Sequence, residues 1–172
     1  SHSNVAIGSF SMAAALNGAL YNTAVGYGAL GALTSGDMNV AIGQSAADTL
    51  TTGASNVIVG QGALTTATTA ARNVAVGTNN MGQFPAGVAI SNVVAIGHEA
   101  LVGSASTTAG INNPIGIGYR ALYALTTGGA NIAIGYNALA AHTTGHSNIA
   151  IGSGAMDDTD AGSTSLGSND NI

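Results

Sequence analysis

The residues able to do chemistry are few and scattered. His142 and His146 stand four apart, on either side of Thr143-Thr144-Gly145, and His98 is followed directly by Glu99. Asp157, Asp158 and Asp160 cluster, Tyr119, Arg120 and Tyr123 form a compact aromatic and basic group, and Phe84 precedes Pro85. Each set suggests a different chemistry. Imidazoles ligate transition metals, but a histidine pair at a Thr-Gly corner reads as two solvent-facing polar side chains. Acidic triplets bind Ca²⁺. The spacing here matches neither an EF-hand loop nor the Gly-rich Asp motif of calcium-binding β-rolls, so the aspartates read as a charged guard on an open edge. His98-Glu99 has no nucleophile or orienting partner beside it. No Ser elbow, phosphate-cradling Gly loop or recurring carboxylate pair is present. No enzymatic activity, metal or cofactor is therefore expected.

Tyr119, Arg120 and Tyr123 suggest ligand binding instead. Aromatic rings pack against sugar rings and a guanidinium hydrogen-bonds acidic sugars. With Phe84 they form a candidate glycan platform. A competing reading is structural, because Tyr27, Tyr119 and Tyr136 each follow a Val-Gly or Ile-Gly step and would cap the same corner.

Composition narrows the field. Of 172 residues only 5% are charged and 4% aromatic, yet 46% are hydrophobic and 26 are Gly. Disorder accompanies low hydrophobicity and high charge, so the chain is expected to fold, around a thin core of small side chains. Arg72 and Arg120 are its only cations, against a net charge of −5. That excludes nucleic-acid binding through clustered basic residues and a polybasic membrane patch. There is no cysteine, hence no disulfide frame or thiolate site. No apolar run is long enough to read as a transmembrane helix, and no signal peptide is visible. Ser1–Ser3 read as a tag remnant or linker and residues 4–172 as one repeat domain, a fragment of something longer.

The organising feature is a repeat. A Val, Ile or Leu followed by Gly recurs at Gly8, Gly26, Gly43, Gly60, Gly77, Gly97, Gly118, Gly135, Gly152 and Gly167, in steps of 18, 17, 17, 17, 20, 21, 17, 17 and 15 residues. Asn lies four residues before the Gly at Asn4, Asn22, Asn39, Asn56, Asn73, Asn131 and Asn148. A small-residue-Leu step follows the Gly, as in Ala29-Leu30 and Ala138-Leu139, and then a corner such as Thr51-Thr52-Gly53. One unit reads as strand, Gly corner, short strand, Thr/Gly corner. In Val40-Ala41-Ile42 the period-2 alternation puts Val and Ile on one face and Ala on the other. A 17-residue unit cannot bury an apolar face alone, so about ten coils are expected to stack in register as an all-β solenoid, or parallel β-roll. Gly at the corner allows positive φ or close backbone approach. Asn before the strand can tolerate a left-handed conformation and hydrogen-bond the neighbouring backbone, and in register such residues can form a side-chain ladder. Because one coil has a single interior, the second apolar face calls for several chains around a rod, a homotrimer by preference.

Units such as Asn131-Ile132-Ala133-Ile134-Gly135-Tyr136-Asn137-Ala138-Leu139, followed by Thr143-Thr144-Gly145, resemble the repeats of bacteriophage tail-fibre proteins. Thr23-Ala24-Val25-Gly26-Tyr27-Gly28-Ala29-Leu30 fits the same pattern, and the resemblance spans Asn4 to about Gly167. It implies a homotrimeric fibre on a virion that attaches to a host cell-surface polysaccharide or lipopolysaccharide. Such fibres often carry a self-cleaving C-terminal chaperone, for which Leu166 to Ile172 would be a mature end. The Ala-Ile-Gly coil is also similar to the heads of trimeric autotransporter adhesins, which sit on bacterial cell surfaces and use shorter coils. The 17-residue period and the Tyr-x-Ala-Leu steps favour the tail fibre. A third reading is ice binding by a Thr array, but the Thr pairs here lie at corners beside Gly. Function is expected where the repeat is interrupted, in insertions around Asn79 to Ser91 and Val102 to Asn113, which would emerge close together.

Overall fold

The structure, a computed structural model, describes residues 3–107 and 110–157. Its strands are β1 (Val5–Ile7), β2 (Thr23–Val25), β3 (Val40–Ile42), β4 (Val57–Val59), β5 (Val74–Val76), β6 (Ile90–Ser91), β7 (Val94–Ile96), β8 (Ile111–Asn112), β9 (Ile115–Ile117), β10 (Ile132–Ile134) and β11 (Ile149–Ile151). Nine of them form one parallel sheet in the order β1-β2-β3-β4-β5-β7-β9-β10-β11, while β6 and β8 pair separately. Register is strict: each central residue faces the next coil's central residue, as in Ala24↔Ala41 and Ala75↔Ala95. The molecule is a β-solenoid of about nine turns. At the parallel-strand spacing of about 4.8 Å its nine-coil sheet is roughly 38 Å long. The unit at Leu166-Gly167, and Asp158 and Asp160, lie outside the described residues.

Alternation decides which side chains form the core. The central Ala24, Ala41, Ala75, Ala95 and Ala133 are fully buried. Val and Ile therefore point outward, along two columns that run the length of the sheet, with Thr23 the only polar residue among them. Away from the sheet ends this face stays open: Ile42 is 41% and Val57 42% exposed. The interior is completed by the buried Ala29, Leu30 and Leu33 and by equivalents such as Ala46, Ala47 and Leu50, or Ala121, Leu122 and Leu125, in later coils.

The segment after each Gly is not the short strand the sequence suggests. It is a run of tight turns, with bonds from Ala29 N to Gly26 O, Gly31 N to Gly28 O and Leu33 N to Leu30 O. Leu30, Leu64, Leu101, Leu122 and Leu139 all take positive φ, between 47° and 57°. A left-handed residue bearing a Cβ costs about 1–2 kcal/mol. Here that strain is offset because Leu30 N donates to Ala46 O of the next coil, and the Leu side chain enters the core. The corner Gly cannot be replaced in the same way. Gly43 has φ +137°, and a Cβ there would lie 2.6 Å from the carbonyl oxygen of Gly60.

The asparagines form the expected ladder. Asn39 Nδ2 donates to Asn22 Oδ1 (3.0 Å) and Gly53 O (2.9 Å), while its Oδ1 accepts from Asn56 N (3.1 Å) and Nδ2 (2.9 Å). All four hydrogen bonds available to the amide are made, and the side chain is fully buried. The left-handed residue is the one before each Asn: Tyr21, Met38, Ser55, Arg72, Ala130 and Ser147. The ladder keeps Asn extended so that its amide reaches the coil above. Thr corners follow the same logic, with Thr34 Oγ1 donating to Thr51 O and Thr51 Oγ1 to Thr68 O (both 3.0 Å).

The two long coils break the ladder without orphaning it. Asn73 Oδ1 accepts from Val93 N (3.0 Å), which ends the first block. Val93 supplies no side-chain acceptor, and the next position is Pro114, which has no N–H to donate. The two departures compensate each other. Substituting Val93→Asn or Pro114→Asn alone should leave a buried group unpaired, costing about 1–3 kcal/mol in chemical denaturation. The double variant should restore the rung, with a favourable coupling of about 1 kcal/mol or more in the mutant cycle. Additive losses would contradict this account.

Candidate functional site

The residues after the corner Gly stack from coil to coil, so equivalent positions become columns on one flank. The first column brings together His98, Tyr119 and Tyr136. The His98 and Tyr119 rings lie 5.6 Å apart and 6° from parallel, and those of Tyr119 and Tyr136 lie 5.1 Å apart at 15°. The second column carries Asn79, Glu99, Arg120 and Asn137, each at positive φ between 53° and 55°. Arg120 Nε donates to Glu99 Oε2 at 2.6 Å. Its guanidinium carbon also sits 5.3 Å from the Tyr119 ring centre and 4.7 Å from that of Tyr123. The hydrogen bond to Glu99 raises the Arg120 pKa above its ordinary value, against the opposing effect of desolvation.

This geometry changes the proposed platform. Both faces of Tyr119 are taken, by His98 and Tyr136, so a sugar meets that ring at its edge. Arg120 is committed to Glu99 and to a face of Tyr123, and its charge is neutralised where an acidic sugar would need it. What remains open lies beside the cluster. A depression of about 210 Å³ is lined by Thr65, Asn79, Gln83, Glu99, Val102 and Tyr123. The chemistry it offers is hydrogen bonding from amides, a hydroxyl and a carboxylate, with one aromatic wall.

Phe84 does not belong to this surface. It is fully buried within the core, and a Cβ added at Gly103 would collide with its ring. The insertions do come together, but as packed structure: β6 pairs with β8 in register, Gln83 N donates to Val102 O at 3.0 Å, and Ile90 and Ile111 are buried. His142 is likewise buried, contrary to the exposed corner side chain the sequence suggested, with its Nε2 3.4 Å from Asn148 Nδ2. His146 is exposed, and its Nδ1 accepts from Gly129 N at 3.0 Å.

A signal for both corrections exists in the repeat. Leu33, Leu50, Phe84, Leu125 and His142 all stand seven residues after their corner Gly, so Phe84 and His142 occupy the column that Leu fills elsewhere. Among the described residues no group of three or more His, Asp or Glu could hold a metal ion, and no helix is long and apolar enough to cross a membrane. Replacing Phe84 with Ala should lower stability by about 3–5 kcal/mol. Equilibrium denaturation checks this, and a near-neutral effect would contradict the packing described.

Comparison with protein-family models, with curated proteins and with solved structures finds no match to this chain.

Proposed function

We propose that the chain is a structural and receptor-binding segment of a bacteriophage tail fibre. In this reading it is a non-enzymatic homotrimeric rod that attaches a virion to a host cell-surface polysaccharide or lipopolysaccharide. The observation that carries the reading is the outer face of the sheet. Two columns of Val and Ile, interrupted only by Thr23, run half-buried to exposed along the full stack. Contiguous apolar surface of that extent marks an interaction site, and its linear form suits parallel copies of the same rod packed along a common axis. The repeat pattern of Asn131 to Gly145 supports the tail-fibre assignment.

A second reading, the head of a trimeric autotransporter adhesin on a bacterial surface, uses the same apolar face in the same way. The coding sequence that follows Ile172 separates the two, as a chaperone segment for the fibre or a membrane anchor for the adhesin. Ice binding fares less well. The flat outer face carries only Thr23, and the corner hydroxyls of Thr34, Thr51 and Thr126 are donated to backbone carbonyls.

Mass measurement in native buffer tests the association. The expected species is three times the chain mass of 16.5 kDa, and the pair Ile42→Asp and Val59→Asp should release monomer. A wild-type chain that runs as monomer would contradict the proposal.

A further inference from the structure

The polar depression beside Tyr123 has a neighbour. A second, apolar depression of about 470 Å³ is formed by Pro85, Ala86 and Ala105 with Thr49 and Thr66, backed by the buried Phe84. Both depressions are lined by Gly82 and Gln83, so Gln83 stands on the boundary, with an exposed side chain. Their sizes bracket the lower end of small-molecule sites, which run from about 300 to 1,000 Å³. The pair lies where the coils are interrupted. Gln83 to Ala86 belong to the first insertion and Val102 and Ala105 to the second, and the bond from Gln83 N to Val102 O ties them together.

We propose that these two depressions form one bipartite site for a neutral sugar bearing an acetamido group. The argument is chemical complementarity, and it rests on the reading of the chain as a glycan-attaching rod. The polar half offers Asn79, Thr65 and Glu99 to ring hydroxyls, with Tyr123 as the wall against which the C–H face of the sugar packs. The apolar half takes the acetyl methyl. Gln83 between them carries one donor and one acceptor group, and so can exchange a reciprocal pair of hydrogen bonds with the acetamido N–H and C=O. Neutrality follows from the ion pair: Arg120 at 2.6 Å compensates Glu99, so the site has no net cation for a carboxylated sugar. The closely spaced rings of His98, Tyr119 and Tyr136 hold the Arg120 side of the groove rigid.

The test is a titration of the assembled protein, followed by amide and side-chain NMR shifts, with methyl N-acetylglucosaminide and with methyl glucoside. The acetamido sugar should shift Gln83, Val102 and Ala105, and methyl glucoside should bind about tenfold more weakly or worse, since the Gln83 partner and the methyl contact are both lost. Gln83→Ala should weaken the acetamido sugar by about the same factor, and Ala105→Phe, which fills the apolar half, should abolish its binding. Both positions are exposed, so folding is preserved. No shifts at these residues, equal binding of the two sugars, or unchanged binding by Gln83→Ala would each overturn the proposal. Adsorption of the labelled protein to bacterial cells separates this claim from the broader one. Adsorption that persists in both variants sinks the bipartite site and leaves the attachment rod standing. Sugar binding without adsorption to any cell does the reverse.

Discussion

Every feature of this molecule depends on stacking each coil in register on its equivalent in the next. A 17-residue coil has too little interior to hold itself together, and most of its backbone donors are satisfied by the coil above or below. In-register stacking converts each repeated residue into a column, and columns have properties that single residues lack. A lone buried Asn would leave hydrogen-bonding capacity unused, whereas a column of Asn saturates itself. A lone Leu at positive φ is strained, whereas a column of them is held by the bond each makes to its neighbour. Gly is obligatory at the corner because the next Gly's carbonyl oxygen sits where a Cβ would be.

The same constraint decides where function can sit. Regular coils present equivalent side chains at the same place along the rod. The two long coils depart from this at coordinated positions. Val93 and Pro114 release the Asn ladder together, β6 and β8 take up additional residues as a second sheet, and Phe84 takes the place of Leu in the interior column. The result is a local change of cross-section within a rod that stays continuous on its Val/Ile face. Depressions lie beside this section, while the apolar Val/Ile face runs on undisturbed through β5, β7 and β9.

Much of the architecture could be read from the residues. Val/Ile-Gly spacing gave the coil, Val-Ala-Ile alternation gave the two faces, and recurrent Asn gave the ladder. What escaped was conformation without a compositional marker. Leu is among the least expected residues at positive φ, so the turns through Ala29-Leu30 looked like a strand. The left-handed position before each Asn is filled by Tyr, Met, Ser, Arg and Ala in turn, which carry no common signal. Phe84 and His142 were misjudged because their types suggested a surface role, although their place in the repeat put them in the Leu column. Of the candidate site, Tyr119, Arg120 and Tyr123 were found from their proximity in sequence. His98, Glu99 and Tyr136 join them only through the stacking of successive coils.

Distance along the rod tests the account most directly, because in-register stacking makes separation depend on the number of coils and not on the number of residues. The chain has no cysteine, so two introduced cysteines would carry the only spin labels. Ser9, Gln44 and Ser153 are exposed and occupy one column, each directly after a corner Gly. With labelled chains diluted in unlabelled ones, the account predicts narrow distributions near 29 Å for Gln44→Cys with Ser153→Cys and near 38 Å for Ser9→Cys with Ser153→Cys, from about 4.8 Å per coil. Broad distributions, or separations that do not grow with coil number, would contradict the stacked solenoid and everything built on it.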